Sequence, residues 1–412
     1  MKSDIDSLMQ AHALDALLIT GPGKHNPAMV YMTGGGHLTR ADLIKKRGDE
    51  PVLFHYSMER DEAANTGLRT KNLDDYDLMS LYKEANGDQV KMQVARYQKM
   101  FAEMGISAGR MAIYGQSDAG GSYAIFTALQ QAMPELTIVG ELGNTVILEA
   151  MATKDPDAIE RIRHMGKVTT GVVGQVADFL SSQRAKDGVL VRRDGTPVTI
   201  GDVKSRINLW LAERGAENPE DTIFAIGRDA GVPHSAGTPG DLLRLGQTII
   251  FDIFPCEAGG GYFYDFTRTW CLGYASDDAA ALYEDVRAVY DQVMSELSSG
   301  KVFKSYQDRT CELFEARGHP TGRSKPGTQE GYVHSLGHGV GLHIHEAPFS
   351  GFTSPDTDRL APGVVVTIEP GLYYPERGMG VRLEDTIGVR PDGQFEILAE
   401  YPYDLVLPVQ TG

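Results

Sequence analysis

The chain is poor in cysteine, in positive charge and in long apolar runs, and each shortage excludes something. Three cysteines in 412 residues, Cys256, Cys271 and Cys311, form neither a disulfide framework nor a CxxC pair, so a reducing cytoplasm is the expected compartment. The 39 Lys and Arg against 56 Asp and Glu leave a formal net charge of −17. That charge repels phosphate backbones and anionic lipid, which argues against nucleic acid and membrane partners. No apolar run reaches the ~20 residues needed to span a bilayer. The opening MKSDIDSLMQAHALDALLI interleaves acidic residues where a secretory leader needs a clean apolar segment. At 42% hydrophobic and 23% charged the composition is that of a soluble globular protein, and the length suggests two domains.

The first 150 residues alternate strand and helix. Residues 4–21 read as a short amphipathic helix running into a buried strand, Ala16 to Thr20. A second apolar strand is expected around Met29 to Thr33, and a hairpin from Asp42 to Tyr56. Helical spacing over Gln89 to Met104 and Ser122 to Met133, with strands at Met111 to Tyr114 and Leu136 to Val139, completes an expected α/β domain over 1–150. His25, His37 and His55 are isolated there, and no catalytic spacing is visible.

Beyond the polar MATKDP break the pattern changes. A helix from Asp157 to Ser181, capped by Asp155 or Asp157 with Pro156 in its first turn, is followed by a helix over Ile200 to Arg214, a strand over Thr222 to Ile226, and a hairpin bearing Asp252 and Asp265. The sequence then restarts: a helix capped by Ser276, another over Tyr306 to Arg317, and a hairpin bearing Glu369 and Glu384. Helix, helix, strand and acidic hairpin twice over suggests an internal pseudo-twofold, with each hairpin offering two carboxylates to a shared cleft.

Between those hairpins lies YVHSLGHGVGLHIHE, residues 332–346, with four of the chain's eleven histidines. Its His334 and His338 are four apart, but the glycines among them argue against a helix, and His343 and His345 would share one face of a strand. Asp252 follows the apolar Ile249-Ile250-Phe251, Asp265 sits between Tyr264 and Phe266, Glu369 follows Val364 to Ile368, and Glu384 follows Val381-Arg382-Leu383. A salt bridge could explain any one such carboxylate. Four of them in apolar strands demand concentrated positive charge, which two divalent cations supply better than Arg268 and Arg382. Carboxylates with one imidazole and no thiolate suit Mn(II), Co(II) or Zn(II). Cys256 reads as a buried free thiol.

At these motifs the chain resembles the pita-bread metallopeptidases, which include Xaa-Pro aminopeptidases, prolidases and methionine aminopeptidases. The resemblance covers about residues 159–405 and rests on FDIF…GYFYDFTRT, HSLGHGVGLHIHE, TIEPGLYY and GVRLEDT in the family's order. It implies a creatinase-like α/β domain over 1–150 and an α+β pita-bread catalytic domain over 157–412. It assigns Asp252, Asp265, His338, Glu369 and Glu384 as ligands of two divalent metal ions, Mn(II) first among the candidates. Asp265 and Glu384 would bridge both ions. Glu369 would also serve as general base and then acid, and His234, His334 and His345 would contact substrate, with Tyr373 and Arg382 lining the site. The implied activity is hydrolysis of the Xaa-Pro bond, releasing the first residue of peptides with proline second. A prolidase acting on Xaa-Pro dipeptides is the alternative, and a non-catalytic binding module is the alternative of another class. A homodimer is implied by the resemblance alone. Two departures stand out: the Asp252 to Asp265 spacing is two residues longer than usual, through Gly259-Gly260-Gly261, and His343 stands where an acidic residue is common, without an assigned role.

Overall fold

The structure is a computed structural model that describes residues 4–411. It divides into two compact units. The first runs to Met151 and takes in Gly259–Gly261; the second comprises Ala152–Ala258 and the chain from Tyr262 onward.

In the first unit six strands form one sheet. They are β1 (Ala16–Gly21), β2 (Ala41–Lys46), β3 (Val52–His55), β4 (Arg69–Asn72), β5 (Gly109–Gly115) and β6 (Leu136–Val139), in the order β4-β3-β2-β1-β5-β6. β1 is antiparallel to β2 and parallel to β5. All six of its residues are buried, as expected for a central strand that packs on both faces. One buried polar knot interrupts this core: the Asp42 carboxylate accepts from Thr20 Oγ1 at 2.6 Å, Tyr97 OH at 3.0 Å and Arg96 Nη2 at 3.0 Å. The apolar run Met29–Thr33 is not a strand. Pro27–Thr33 forms a helix, capped by the Asn26 side chain, with Pro27 in the first turn and Gly34 in the left-handed conformation after its end. The cap and stop residues decided the element, because a short, almost wholly apolar run has no periodicity that separates helix from strand.

The second unit contains the same arrangement twice. Its opening helix, Pro156–Ser181, has Asp155 accepting from the Ala158 N–H and Pro156 at a position where a missing donor costs nothing. The next, Ile200–Ala212, starts with a Thr199/Asp202 capping box. These accompany a mostly antiparallel sheet in the order Thr222–Ile226, Thr248–Ile253, Phe266–Ala275, Leu245–Gly246, with Val406–Leu407 also beside Phe266–Ala275. The helices Asp277–Glu296 and Lys304–Glu315 accompany a second sheet in the order Glu346–Phe349, His338–Gly339, Val365–Ile368, Asp385–Val389, Phe395–Ile397. Between sheet and helices lies a continuous core that includes Val286, Val293, Phe314, Val366, Ile368 and Ile387, all with no exposed surface. At about 1.5 to 3 kcal/mol per buried side chain, such a core makes a rigid floor.

The acidic hairpin near the C-terminus is more elaborate than the sequence suggests. Val365–Ile368 does pair with Asp385–Val389, but a second hairpin, Gly371–Tyr374 with Met379–Arg382, is inserted between them. Glu369 and Glu384 therefore sit where the chain leaves one hairpin for the other, not inside strands. Asp265 likewise lies just ahead of Phe266–Ala275. The two sheets meet at this point, where the Glu384 N–H donates to the Thr267 carbonyl at 3.1 Å. Arg268 braces the junction, donating to the Glu384 carbonyl at 2.8 Å and to Asp385 at 2.9 Å. Among the described residues no helix is long and apolar enough to cross a membrane.

Candidate metal centre

The strand pairing brings together side chains separated by more than a hundred positions in sequence. Asp252 lies opposite Thr267 in the first sheet. Thr267 Oγ1 donates to Glu384 Oε2 at 2.6 Å and accepts from Arg382 Nε at 3.3 Å. In the second sheet Thr367 Oγ1 accepts from the His338 N–H at 3.1 Å and donates to Glu369 Oε1 at 3.2 Å. These two threonines were not singled out in the sequence. For one the signal was there: Thr367 and Glu369 are two apart, the spacing that puts an acid and its hydroxyl partner on one side of an extended chain, whereas Thr267 serves Glu384 from 117 positions away.

Asp265, His338 and Glu384 are buried, and each offers a ligand atom within 4.8 Å of the others. His338 Nε2 is 3.5 Å from Asp265 Oδ2 and 3.3 Å from Glu369 Oε1. Its Nδ1 faces the Gly339 carbonyl at 3.0 Å, so an Nδ1–H donor leaves the Nε2 lone pair aimed at the acids, the orientation a metal-ligating imidazole needs. Asp252 lines the same cavity and is gripped by Arg382 Nη2 at 2.5 Å.

The electrostatics of this cluster call for cations. Burial, followed by the charges of its neighbours, pushes Asp265 and Glu384 well above the usual carboxylate range. Burial raises Asp252 as well, against the pull of Arg382. Burial opposes charge on Glu369 too, but the hydrogen bond and charge of His338 hold it down at about 2. Glu369 and Asp265 in turn overcome burial to lift His338 to about 9. One oxygen on each of Asp252, Asp265 and Glu384 is buried without a hydrogen-bond partner among the described residues. An unmet buried acceptor costs about 1 to 3 kcal/mol, more when charged. Three such orphans converging beside an oriented imidazole are what hard divalent cations satisfy. The residues present fit the metal ions that the sequence implied.

A cavity of about 540 Å³ opens over the cluster, lined among others by Glu220, Ile223, His234, Phe254, His334, Ile344, His345, Phe349 and Arg382. The histidines named in the sequence divide into two kinds. His334 is locked: its Nδ1 faces the Ser335 carbonyl at 2.8 Å and its Nε2 accepts from Tyr373 OH at 2.9 Å. Burial lowers it to about 4, which keeps the ring neutral and able to accept. His234 and His345 are exposed to the cavity. Burial, then the charge of His338, lowers His345 to about 4, and its ring centroid lies 4.2 Å from that of His338. Tyr373 does not line the cavity. It is wholly buried behind it, accepting from Arg382 Nη1 at 2.7 Å. His343 is also off the cavity, and residues 341–345 bend outside any strand, so it does not share a strand face with His345. Its backbone N–H donates to Glu346 at 3.3 Å.

A buried carboxylate and imidazole cluster able to hold metal, set on the floor of a cleft between two matching sheets, defines the class as a metal-dependent enzyme. The model of metallopeptidase family M24 matches residues 160–391, and the chain belongs to that family. An uncharacterized peptidase of Staphylococcus epidermidis is 25% identical over 404 residues, 97% of this chain and 98% of that protein. The Xaa-Pro dipeptidase of Pyrococcus furiosus is 31% identical over 193 residues, 47% of this chain and 51% of that one. The crystal structure of an X-Pro aminopeptidase from Thermotoga maritima superposes with a TM-score of 0.75 at 21% identity, covering 98% of this chain and 100% of that one. Likeness at that identity speaks for the fold, and the pita-bread architecture is that of this chain.

Proposed function

We propose that this peptidase hydrolyses the bond before a proline in second position and releases the first residue, an Xaa-Pro aminopeptidase acting on peptides longer than two residues. Asp252, Asp265, His338, Glu369 and Glu384 would hold two divalent ions, Mn(II) in the first instance. Bound there, such ions polarise the scissile carbonyl and lower the pKa of water. The chain's own groups do the rest. A carboxylate oxygen of Glu369 accepts the proton of the attacking water; as the C–N bond breaks, it returns that proton to the proline nitrogen. His234 and His345, whose ring nitrogens make no hydrogen bond among the described residues, hold the peptide and the developing oxyanion. Tyr373 fixes His334, and the ring of His334 forms a wall without offering a free nitrogen. An Xaa-Pro amide has no N–H, so these groups orient the substrate through its carbonyl and amine.

The observation that carries the choice of longer peptides is the absence of an unengaged cation. Among the described cavity-lining residues the one Lys or Arg is Arg382. Its guanidinium is spent on Asp252, Tyr373, Thr267 and the Pro233 carbonyl. A dipeptide carries its carboxylate on the proline just beyond the scissile bond, and no free Lys or Arg lines the described cavity to pair with it. The alternative, a prolidase, is supported by the name of the Pyrococcus furiosus relative. Metal-free protein reconstituted with Mn(II), Co(II) or Zn(II) and given an Xaa-Pro dipeptide and an Xaa-Pro-Yaa tripeptide separates them. Release of the first residue from the tripeptide, with the dipeptide cut at least about tenfold more slowly, is expected. Preferential cleavage of the dipeptide would overturn the aminopeptidase reading. Silence on both with metal bound would return the binding module.

A further inference from the structure

Lys154 lies far in sequence from the histidine stretch, yet its ammonium sits 2.5 Å from Glu346 Oε1, with both side chains almost wholly buried at 2% and 1% exposure. The same Nζ reaches the Ala152 carbonyl at 3.3 Å. Its backbone N–H donates to the Gly363 carbonyl at 2.7 Å, two residues before the strand Val365–Ile368 that leads into Glu369. The other oxygen of Glu346 accepts from the His343 N–H at 3.3 Å, and the Gly341 N–H donates to the His343 carbonyl at 3.0 Å. The turn over residues 341–346 is thus wrapped around the Glu346 carboxylate. A Cβ at Gly341 would run into that carboxylate, so glycine is needed for the close approach. What the turn presents to the cleft is Ile344 and His345.

A buried ion pair is a poor source of stability, because desolvation offsets most of its attraction. What this pair joins is two segments 192 positions apart in sequence. We propose that Lys154, acting through Glu346, is the positioning residue that holds His345 over the cleft, and that through Gly363 it keys this turn to the strand Val365–Ile368 that leads into Glu369. The role rests on the peptidase reading, in which His345 holds substrate.

The test compares Lys154→Met, His345→Gln and the double variant on an Xaa-Pro-Yaa tripeptide, with metal content measured on each and hydrogen exchange followed over residues 341–346. Lys154→Met should keep its metal, lose about tenfold in kcat with KM within about twofold, and exchange faster in the turn. In the His345→Gln background the same change should cost less than about twofold, since the residue it positions is already gone. A full tenfold loss on top of His345→Gln, or no loss in either background, would overturn the proposal. Should Lys154→Met fail to fold, Lys154→Met with Glu346→Gln removes both charges and should fold; it should remain slow, and wild-type turnover in that pair would equally overturn it. If the wild-type protein cuts no Xaa-Pro peptide, the functional reading fails on its own, and hydrogen exchange decides the positioning claim: unchanged protection of 341–346 in Lys154→Met refutes it.

Discussion

Replacing Tyr373 by phenylalanine removes one oxygen from the interior and tests how the cleft is held. Tyr373 has no exposed surface, and its hydroxyl is the middle of a chain: Arg382 Nη1 donates to it at 2.7 Å, and it donates to His334 Nε2 at 2.9 Å. Tyr373→Phe keeps the ring and its packing, so no cavity term arises. Losing the neutral bond to His334 costs about 1 kcal/mol, and losing the charge-assisted bond from Arg382 about 1.5 to 3 kcal/mol. Arg382 Nη1 keeps the Pro233 carbonyl at 3.2 Å, which puts the second figure at its lower end and the sum near 2 to 3 kcal/mol. Against a net stability of roughly 5 to 15 kcal/mol for a domain this is large. Urea unfolding measures it, read on the transition that also moves when Mn(II) is added, so that only the second unit is scored. Metal content should be unchanged, because Arg382 Nη2 still holds Asp252. Turnover on an Xaa-Pro-Yaa peptide should fall about tenfold as the His334 ring is freed to rotate. A stability loss below about 0.5 kcal/mol with unchanged turnover would refute the account of Tyr373 as the lock on this wall.

Three further outcomes follow from the same geometry. Asp265→Ala removes the carboxylate that, with His338 and Glu384, makes the buried group able to hold an ion; metal content measured after desalting should fall and hydrolysis drop by at least about a thousandfold, and full activity would exclude a metal centre at this place. His234→Ala should lower kcat by about ten- to a hundredfold with metal content unchanged; loss of metal would instead make His234 a ligand. In the first unit, His12 bridges Glu141 at 2.6 Å and Glu149 at 3.1 Å. Burial opposes its charge, but those hydrogen bonds outweigh burial and raise it above the usual 6.5. Burial likewise opposes ionisation of Glu141, whose bonds, first among them that from Tyr114, hold it below the usual 4.5. The imidazole's contribution to stability is complete below pH 6.5 and fades as pH rises through its raised value; the carboxylate's is complete above pH 4.5 and fades as pH falls. The melting temperature of wild type should therefore exceed that of His12→Gln most between pH 4.5 and 6.5, by the equivalent of about 1 kcal/mol at most, and the gap should close by about pH 9. A gap that widens toward pH 9 would reverse the assigned direction.

Much of this protein was legible in the order of its residues. The long helices were marked by their caps, Asp155 with Pro156 and Ser276, and their spans fall within a residue or two of expectation. The strand Thr222–Ile226 and the hairpin Ala41–Lys46 with Val52–His55 were set by apolar runs bounded by turn residues. Candidate ligands could be picked out because a carboxylate in an apolar run is costly unless something pays it back, and that cost is local. The helix at Pro27–Thr33 went unread because a nearly unbroken run of apolar residues carries no polar period to separate helix from strand.

What only the tertiary structure decided is which groups are available. The family resemblance placed three histidines and Tyr373 alike at the site, but the fold engages the nitrogens of His334 with the Ser335 carbonyl and the Tyr373 hydroxyl and buries Tyr373 behind the wall, leaving His234 and His345 facing the cavity. It engaged every face of Arg382, and it brought Lys154 to Glu346 across 192 positions. Residue type and spacing fix what a side chain can do and what it costs to bury. Whether its hydrogen bonds are already taken depends on partners that long-range pairing selects, and no local pattern in the sequence records that choice.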